Sequence, residues 1–423
     1  MSARRLCILQ GIRTPLGKMD GALRGLGADD LGTLALRELI LRTGIDTTLL
    51  DAVVCGNVGQ GPSAPNIARV IALRAGVSSD VEAMTVHRNC ASGFEAVTQC
   101  AQRLQAGRGR LFAAVATESM TSYPLLFRPR AVAWFKQLQR SRSAWAKLRT
   151  LLGFRPSMMA PEVALLQGLT DPVIGLGMGD TAELLAREWD VSREAQDAFA
   201  ASSHLKALGA RERLREETFD VAHAKGVLRD DEGVRDDSTP ERLARLRTVF
   251  DRRHGSVTAG NSSQLTDGAV ALLVGDEACA RELDLEPLGF LDEWAYAGCD
   301  PRRMGLGPLH AVHRLFPDRP MPDFDLVEIN EAFAAQVLAC VKAFPDARYA
   351  ADVLGRDAPL GEIPTERLNV NGGAIALGHP VGMTGARLVL TALKELPRRG
   401  GSEALVTLCV GGGQGGALRL RTF

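Results

Sequence analysis

A few residues in this sequence sit in settings that suit chemistry as well as packing. Cys90 lies in HRNCASGFEAV, directly ahead of an amphipathic helical pattern. A cysteine at a helix start feels the positive end of the helix dipole and unpaired backbone N–H groups, and both favour thiolate over thiol. The competing reading is a buried cysteine at a strand-to-helix turn. His379 lies in NVNGGAIALGHPVGMTGAR, with glycines on both sides and Pro380 fixing the entry to the next helix. A histidine held in such a loop suits a general base, and the bland alternative is a structural loop residue. Cys409 ends an apolar strand pattern in TLCVGGGQGGA, before glycines whose N–H groups are free to face an anion, although a buried strand cysteine fits the same pattern. Asn330 and Glu331, in EINEAFAAQ, mark a strand-to-helix junction. There an Asn either caps the helix or aims its amide into a site at the strand ends.

Other chemistries fit poorly. Gly411–Gly416 matches GxGxxG, but few residues follow, so neither the helix nor the downstream acidic residue of a dinucleotide site has room. The eight cysteines are scattered with no CxxC, which argues against zinc and against a disulfide framework. Lys plus Arg total 50 and Asp plus Glu total 50, so no basic excess points to nucleic acid. The apolar stretch at Leu6–Leu9 is too short for a signal-peptide core, and no run approaches the length of a membrane span. The expected location is cytoplasmic.

The elements that must position these residues recur in two rounds. ADDLGTLALRELILRTG reads as a helix, LLDAVVCGNV as a strand, CASGFEAVTQCAQRLQAG as a helix and RLFAAVATES as a strand. Near the C-terminus GPLHAVHRLF is helical and FDLVEINEAF an acid-led strand. GHPVGMTGARLVLTALKELPRRGG is helical, and EALVTLCVGG and ALRLRT are strands. Helices alternating with continuous apolar strands predict an α/β layered fold with mostly buried sheets, built by internal duplication. Between the rounds, helical patterns such as SREAQDAFAASSHLKALGARERL and the polar stretch RDDEGVRDDSTPERL read as an inserted loop domain. The expected boundaries are 1–120 with 254–277 for the first half, 121–253 for the insertion and 278–423 for the second half.

Taken together and in order, GIRTP, NCASG, GMGDTAE, VTAGNSSQLTDGA, INEAFAAQ, NVNGGAIALGHPVGMTGAR and CVGGGQGGA resemble the thiolase family over nearly the whole chain. The resemblance implies a thiolase fold: two similar βαβαβαββ halves stacked as a five-layered α-β-α-β-α structure, with a loop domain in the first. It implies cleavage of a 3-ketoacyl-CoA by CoA to acetyl-CoA and a shortened acyl-CoA, or the reverse, within fatty-acid β-oxidation. In that reading Cys90 is the acylated nucleophile, His379 the base that activates it, and Cys409 the acid/base for the α-proton. Asn330 holds a water of a first oxyanion hole that His379 completes. The N–H groups of Cys90 and Gly411 form a second hole. Ser263 touches the pantetheine arm, and Met178, Met304 and Phe333 line the acyl pocket. No metal and no cofactor are implied, since coenzyme A is a substrate.

Within the family, SAPNIARVIAL, VFDRRHGSVTAGNSS, YAADVLGRDAPLGEIP and the basic insertion after Met120 lean toward the β subunits of trifunctional β-oxidation complexes. Asn330, where those subunits usually carry His, and Gly177, where short-chain synthetic thiolases often carry His, depart from subclass patterns. A homodimer or homotetramer and an α-subunit partner follow from the resemblance. An acetoacetyl-CoA-forming acetyltransferase, a ketoacyl-carrier-protein synthase and a non-catalytic lipid-binding or scaffold subunit are the alternatives. Retention of Cys90, His379, Cys409 and Asn330 speaks against the last.

One segment stands apart. From Ser119 to Pro161 there are eight basic residues and no acidic one, and Trp134, Leu138, Trp145, Leu148 and Leu152 recur at helical spacing. This predicts one or two basic amphipathic helices that bind an anionic membrane surface, dock a partner subunit or pack on the enzyme's own body. The basic face also suits guidance of the coenzyme A phosphates.

Overall fold

The computed structural model describes residues 5–423, so the first four residues of the expected first half lie outside it. Ten strands join in one hydrogen-bonded sheet. From one end the main strands run Leu326–Ile329, Glu403–Val410, Gln414–Arg421, Gly289–Gly298, Leu6–Arg13, Thr266–Gly275, Leu111–Ser119, Ala52–Gly56 and Glu82–Val86. The short Gly17–Lys18 strand pairs with Thr266 and Asp267. The two rounds of the sequence meet where Leu6–Ile8 pairs antiparallel with Gly289–Leu291. Each round contains a parallel pairing, Ala52–Gly56 with both neighbours in the first and Leu326–Ile329 with Glu403–Val410 in the second. In the second round the counterpart of Glu82–Val86 shrinks to one parallel bridge between Val327 and Leu368.

Three apolar clusters explain why the inner strands read as unbroken apolar runs. Side chains alternate between faces, and both faces are covered. Val53, Cys55, Val115 and Leu273 face outward onto the helices Ala28–Thr43 and Ile67–Ala75. Val54, Ala114, Leu272, Val406, Leu408 and Leu418 face inward onto two central helices, Ser92–Gln105 and Thr384–Arg398. Val327, Ile329, Leu405 and Ala417 face the helices Gly307–Leu315 and Ala334–Ala343. The succession is helix, sheet, helix, sheet, helix.

The central helices approach each other closely because glycines meet there. A Cβ added to Gly93 would lie 2.5 Å from the Ala386 nitrogen, and one added to Gly385 would lie 2.5 Å from the Phe94 nitrogen. This crossing brings the loops ahead of both helices, which carry Cys90 and His379, to one place.

Two boundaries differ from the sequence reading. The second central helix begins at Thr384, not at the glycine before His379, because Gly378 takes φ 118° and the His379 N–H is donated to the Gln264 carbonyl at 3.1 Å. The acid-led strand stops at Ile329, leaving Asn330 and Glu331 beyond its end. The chain departs after Ser119 and returns at Thr266 to pair antiparallel with the strand it left. In between, the basic segment forms two helices, Pro129–Arg140 and Ala144–Leu152. The expected single apolar stripe is split between them. Trp134 is half-buried, meeting Phe135 edge-on and Phe154 at a tilt and donating its ring N–H to the Thr150 carbonyl at 2.8 Å. Trp145 is 74% exposed.

Candidate active site

A cavity of about 500 Å³ opens at the strand ends, and Cys90, His379, Cys409, Gly411, Ser263, Met178, Met304 and Phe333 all line it. The strand-end position is where α/β sheets place ligands.

Cys90 follows Asn89, a non-glycine residue at φ 44°, and precedes the helix Ser92–Gln105. Ser92 closes the turn, its hydroxyl donating to the Asn89 carbonyl at 2.7 Å and accepting from the Arg88 N–H at 2.9 Å. Burial pushes the Cys90 thiol up, while the N–H groups of Gly411 and of Cys90 itself, both hydrogen-bonded to the sulfur, pull it down. The net shift is upward, so the resting group is a thiol and needs a base to attack.

His379 lines the same cavity and has the form a base needs. Its Nδ1 lies 2.7 Å from the Thr384 hydroxyl, whose own proton is donated to the Pro380 carbonyl at 3.0 Å. Nδ1 therefore carries the proton, and Nε2 presents a lone pair. The side-chain amide of Asn330 lies 3.4 Å from that Nε2. Burial, with the charge of Arg387 added, lowers the imidazole pKa to about 4. The ring is neutral at physiological pH.

Cys409 ends the strand Glu403–Val410 and packs with Met304, Ala332, Met178 and Phe333. Burial first, then the neighbouring Cys90, raises its thiol well above the ordinary range. A protonated sulfur in an apolar wall suits proton delivery rather than nucleophilic attack. Asn330 is buried, and its Oδ1 has no protein donor, the kind of acceptor that a bound water satisfies. Glu331 does not face the chemistry. It is buried among Ser203, Asn369 and the Ile375 N–H and fixes the loop that leads to His379. Ser263 donates its N–H to the Ala332 carbonyl at 3.0 Å, tying its loop to the Asn330 segment. Among the described residues no cluster of His, Cys, Asp or Glu is placed to hold a metal.

The N-terminal domain of thiolases matches residues 6–278, and the C-terminal domain matches residues 285–422. This chain belongs to the thiolase family. It is 41% identical to the 3-ketoacyl-CoA thiolase of Pectobacterium atrosepticum, over 98% of this chain and 96% of that one. It is also 41% identical to the 3-ketoacyl-CoA thiolase of Serratia proteamaculans, with the same coverage. Its fold is similar to human mitochondrial 3-ketoacyl-CoA thiolase in complex with CoA, with a TM-score of 0.85, 31% identity and coverage of 100% and 98%. It is equally similar to the acetyl-CoA acetyltransferase of Bacillus anthracis, with a TM-score of 0.85, 33% identity and coverage of 100% and 99%. Thiolases are acyltransferases.

Part of this thiolase's cavity wall lies outside the residues that the sequence motifs single out. Val58, His87, Met120, Tyr123 and the stretch from Leu165 through Gly168 to Val173 also line it. Met120 and Tyr123 directly follow the buried strand Leu111–Ser119, and that position past a strand end was the available signal.

Proposed function

We propose that the protein is a 3-ketoacyl-CoA thiolase that cleaves its substrate with CoA through an acyl-cysteine at Cys90. The observation that carries this reading is the convergence of Cys90, His379 and Cys409 on one cavity, with Gly411 and Asn330 beside them. His379 Nε2 takes the Cys90 proton as the sulfur attacks the 3-keto carbon. The oxygen that gains charge is held by the N–H groups of Cys90 and Gly411. The C2–C3 bond then breaks, the enolate of acetyl-CoA is stabilised by protonated His379 and an Asn330-held water, and Cys409 gives its proton to the carbon. CoA gives its thiol proton to the Cys409 thiolate and attacks the acyl-cysteine. Cys90 leaves as a thiolate and takes its proton back from His379, and the shortened thioester is released. Coenzyme A serves as substrate, and the residues named supply every proton transfer without a metal or bound cofactor.

The deciding experiment is thiolysis of 3-ketoacyl-CoA substrates of increasing chain length. Cleavage of acetoacetyl-CoA alone would favour the acetyltransferase alternative. Absence of cleavage from a folded protein would favour the non-catalytic one.

The reading extends to partners. The Glu82–Val86 strand lies at a sheet end with one side unpaired, a template for pairing with a second copy, and this supports a homodimer or a dimer of dimers. The basic segment within the proposed 121–253 insertion exposes Phe127, Trp145, Leu148 and Leu152 among its Arg and Lys residues. Exposed apolar side chains within a wholly basic segment favour a peripheral contact with an anionic membrane surface over a solvated helix. No described helix is long and apolar enough to cross a membrane.

A further inference from the structure

The cavity wall that the sequence reading missed is built by the two roots of the basic segment. Met120 and Tyr123 stand on the outgoing root and Leu165 to Val173 on the returning one. The roots are joined by a short ribbon in which Leu125 and Leu126 pair with Val163 and Glu162. The ribbon's Leu125 and Leu126 and the following Phe127 are all exposed. Tyr123, two residues ahead of the ribbon, lines the cavity.

The Tyr123 ring is held from two directions. It lies against the backbone of Gly59, where an added Cβ would come within 2.5 Å of two ring carbons. Its hydroxyl donates to Glu118 Oε1 at 3.3 Å. Glu118 is fully buried and also accepts from the N–H groups of Val58 at 3.1 Å, Gly59 at 2.9 Å and Gly382 at 2.9 Å. Gly382 belongs to the loop that carries His379, so one carboxylate fixes both the aromatic wall and the loop of the base. A polar group this deeply buried is retained where its partners must hold one geometry.

We propose that Tyr123, braced by Glu118, limits the length of acyl chain that the cavity accepts. The tail of the 3-ketoacyl thioester runs from Cys90 along Val58 and Met120 to the Tyr123 ring. Chains that reach past the ring need it displaced. This rests on the thiolase reading of Cys90 and adds the substrate class: 3-ketoacyl-CoA esters up to a cut-off that Tyr123 sets. Below the cut-off each added methylene raises kcat/KM about fourfold, the return on burying one CH2.

The test is kcat/KM for 3-ketoacyl-CoA esters from four to sixteen carbons, with wild type, Tyr123→Ala, Tyr123→Phe and Gly59→Ala. Tyr123→Ala is expected to raise the ratio of sixteen-carbon to four-carbon kcat/KM by about tenfold or more, the discrimination available from apolar wall contacts. Tyr123→Phe keeps the ring but loses the bond to Glu118, and is expected to raise the same ratio, though by less than Tyr123→Ala. Gly59→Ala crowds the ring, its Cβ lying 2.5 Å from two ring carbons, and is expected to shift the cut-off, a readout that remains if Tyr123→Ala does not fold. Parallel length profiles for wild type and both Ala variants overturn the proposal, as does a shift to shorter chains in Tyr123→Ala. A wild-type protein that cleaves no chain length overturns the thiolase reading itself, an outcome distinct from parallel profiles.

Discussion

The side-chain amide of Asn89 donates to the main-chain carbonyl of Gly411 at 2.7 Å, linking residues 322 positions apart. Asn89 precedes Cys90, the proposed nucleophile, and Gly411 supplies one of the two N–H groups on its sulfur. In the proposed mechanism the bond therefore sets the oxyanion hole from across the two halves of the chain. Asn89→Gly keeps the φ of 44° accessible and removes only the amide. It is expected to lower kcat by about tenfold to a hundredfold, less than outright loss of an oxyanion donor, with KM little changed. Steady-state kinetics beside a melting curve would check this. Unchanged kcat would mean that Gly411 holds its place without Asn89.

The two cysteines are separable. Cys90→Ala should abolish both turnover and acyl labelling by an acyl-CoA. Cys409→Ala should lose turnover by orders of magnitude yet still acquire one acyl group on Cys90, because acylation needs only the nucleophile, the base and the second oxyanion hole. Intact-mass and peptide mass spectrometry read the outcome. An equal loss of acylation and turnover in Cys409→Ala would assign that residue a structural role.

His379 makes stability pH-dependent with a definite sign. Its folded pKa, about 4, lies below the ordinary histidine value of 6.5. The unfolded chain therefore binds the extra proton between those values, and stability contributed by the neutral ring is lost as pH falls from 6.5 toward 4. The difference in unfolding free energy between wild type and His379→Asn should fall by ~3 kcal/mol across that window. Glu118 acts oppositely. Burial raises its carboxyl to about 7, so it favours the folded state as pH falls from 7 to its ordinary 4.5. Only the difference from the His379 variant isolates the histidine. A pH-independent difference in urea unfolding would contradict a buried neutral ring.

The crossing of the central helices is sensitive to one methyl group. Gly385→Ala would place Cβ against the Phe94 nitrogen, which is backbone and cannot rotate away. The expected cost is about 1–3 kcal/mol, typical of overpacking, together with loss of activity as the Cys90 and His379 loops separate. Gly168→Ala, with nothing within 4 Å of its added Cβ, is the control for stability. Equal melting temperatures for the two variants would refute the close crossing.

The basic helices yield a separate expectation. The protein should co-sediment with vesicles containing anionic lipid, and added salt should release it as charges are screened. Each Lys or Arg near such a surface contributes roughly 1 kcal/mol, so replacing Arg140, Arg142 and Lys147 with Gln should weaken binding by about a hundredfold, with thiolysis of short substrates retained. Emission from Trp145, which is 74% exposed in the free protein, should shift to the blue on binding. No sedimentation at low salt would leave the exposed face to a partner subunit.

By itself the sequence determined the element types and the duplication, and it singled out Cys90, His379, Cys409 and Asn330 as candidates. The element types rest on local properties such as apolar period and the glycine and proline around a turn, whereas the roles proposed for those four residues rest on the resemblance of their motifs to the thiolase family. Tertiary structure decided what depends on distant partners. The tautomer of His379 follows from Thr384 giving its proton to Pro380, a direction of bonding that no spacing encodes. Trp134 and Trp145 share a helical spacing in the sequence, yet a break at residues 141–143 leaves one half-buried and the other exposed. Tyr123 became part of the cavity wall only because Gly59 and Glu118, far apart from each other in sequence, pack on its ring and hydroxyl. Local pattern fixes which backbone conformations are cheap, whereas contact between remote segments depends on how layers stack, and that is settled by burial summed over the whole chain.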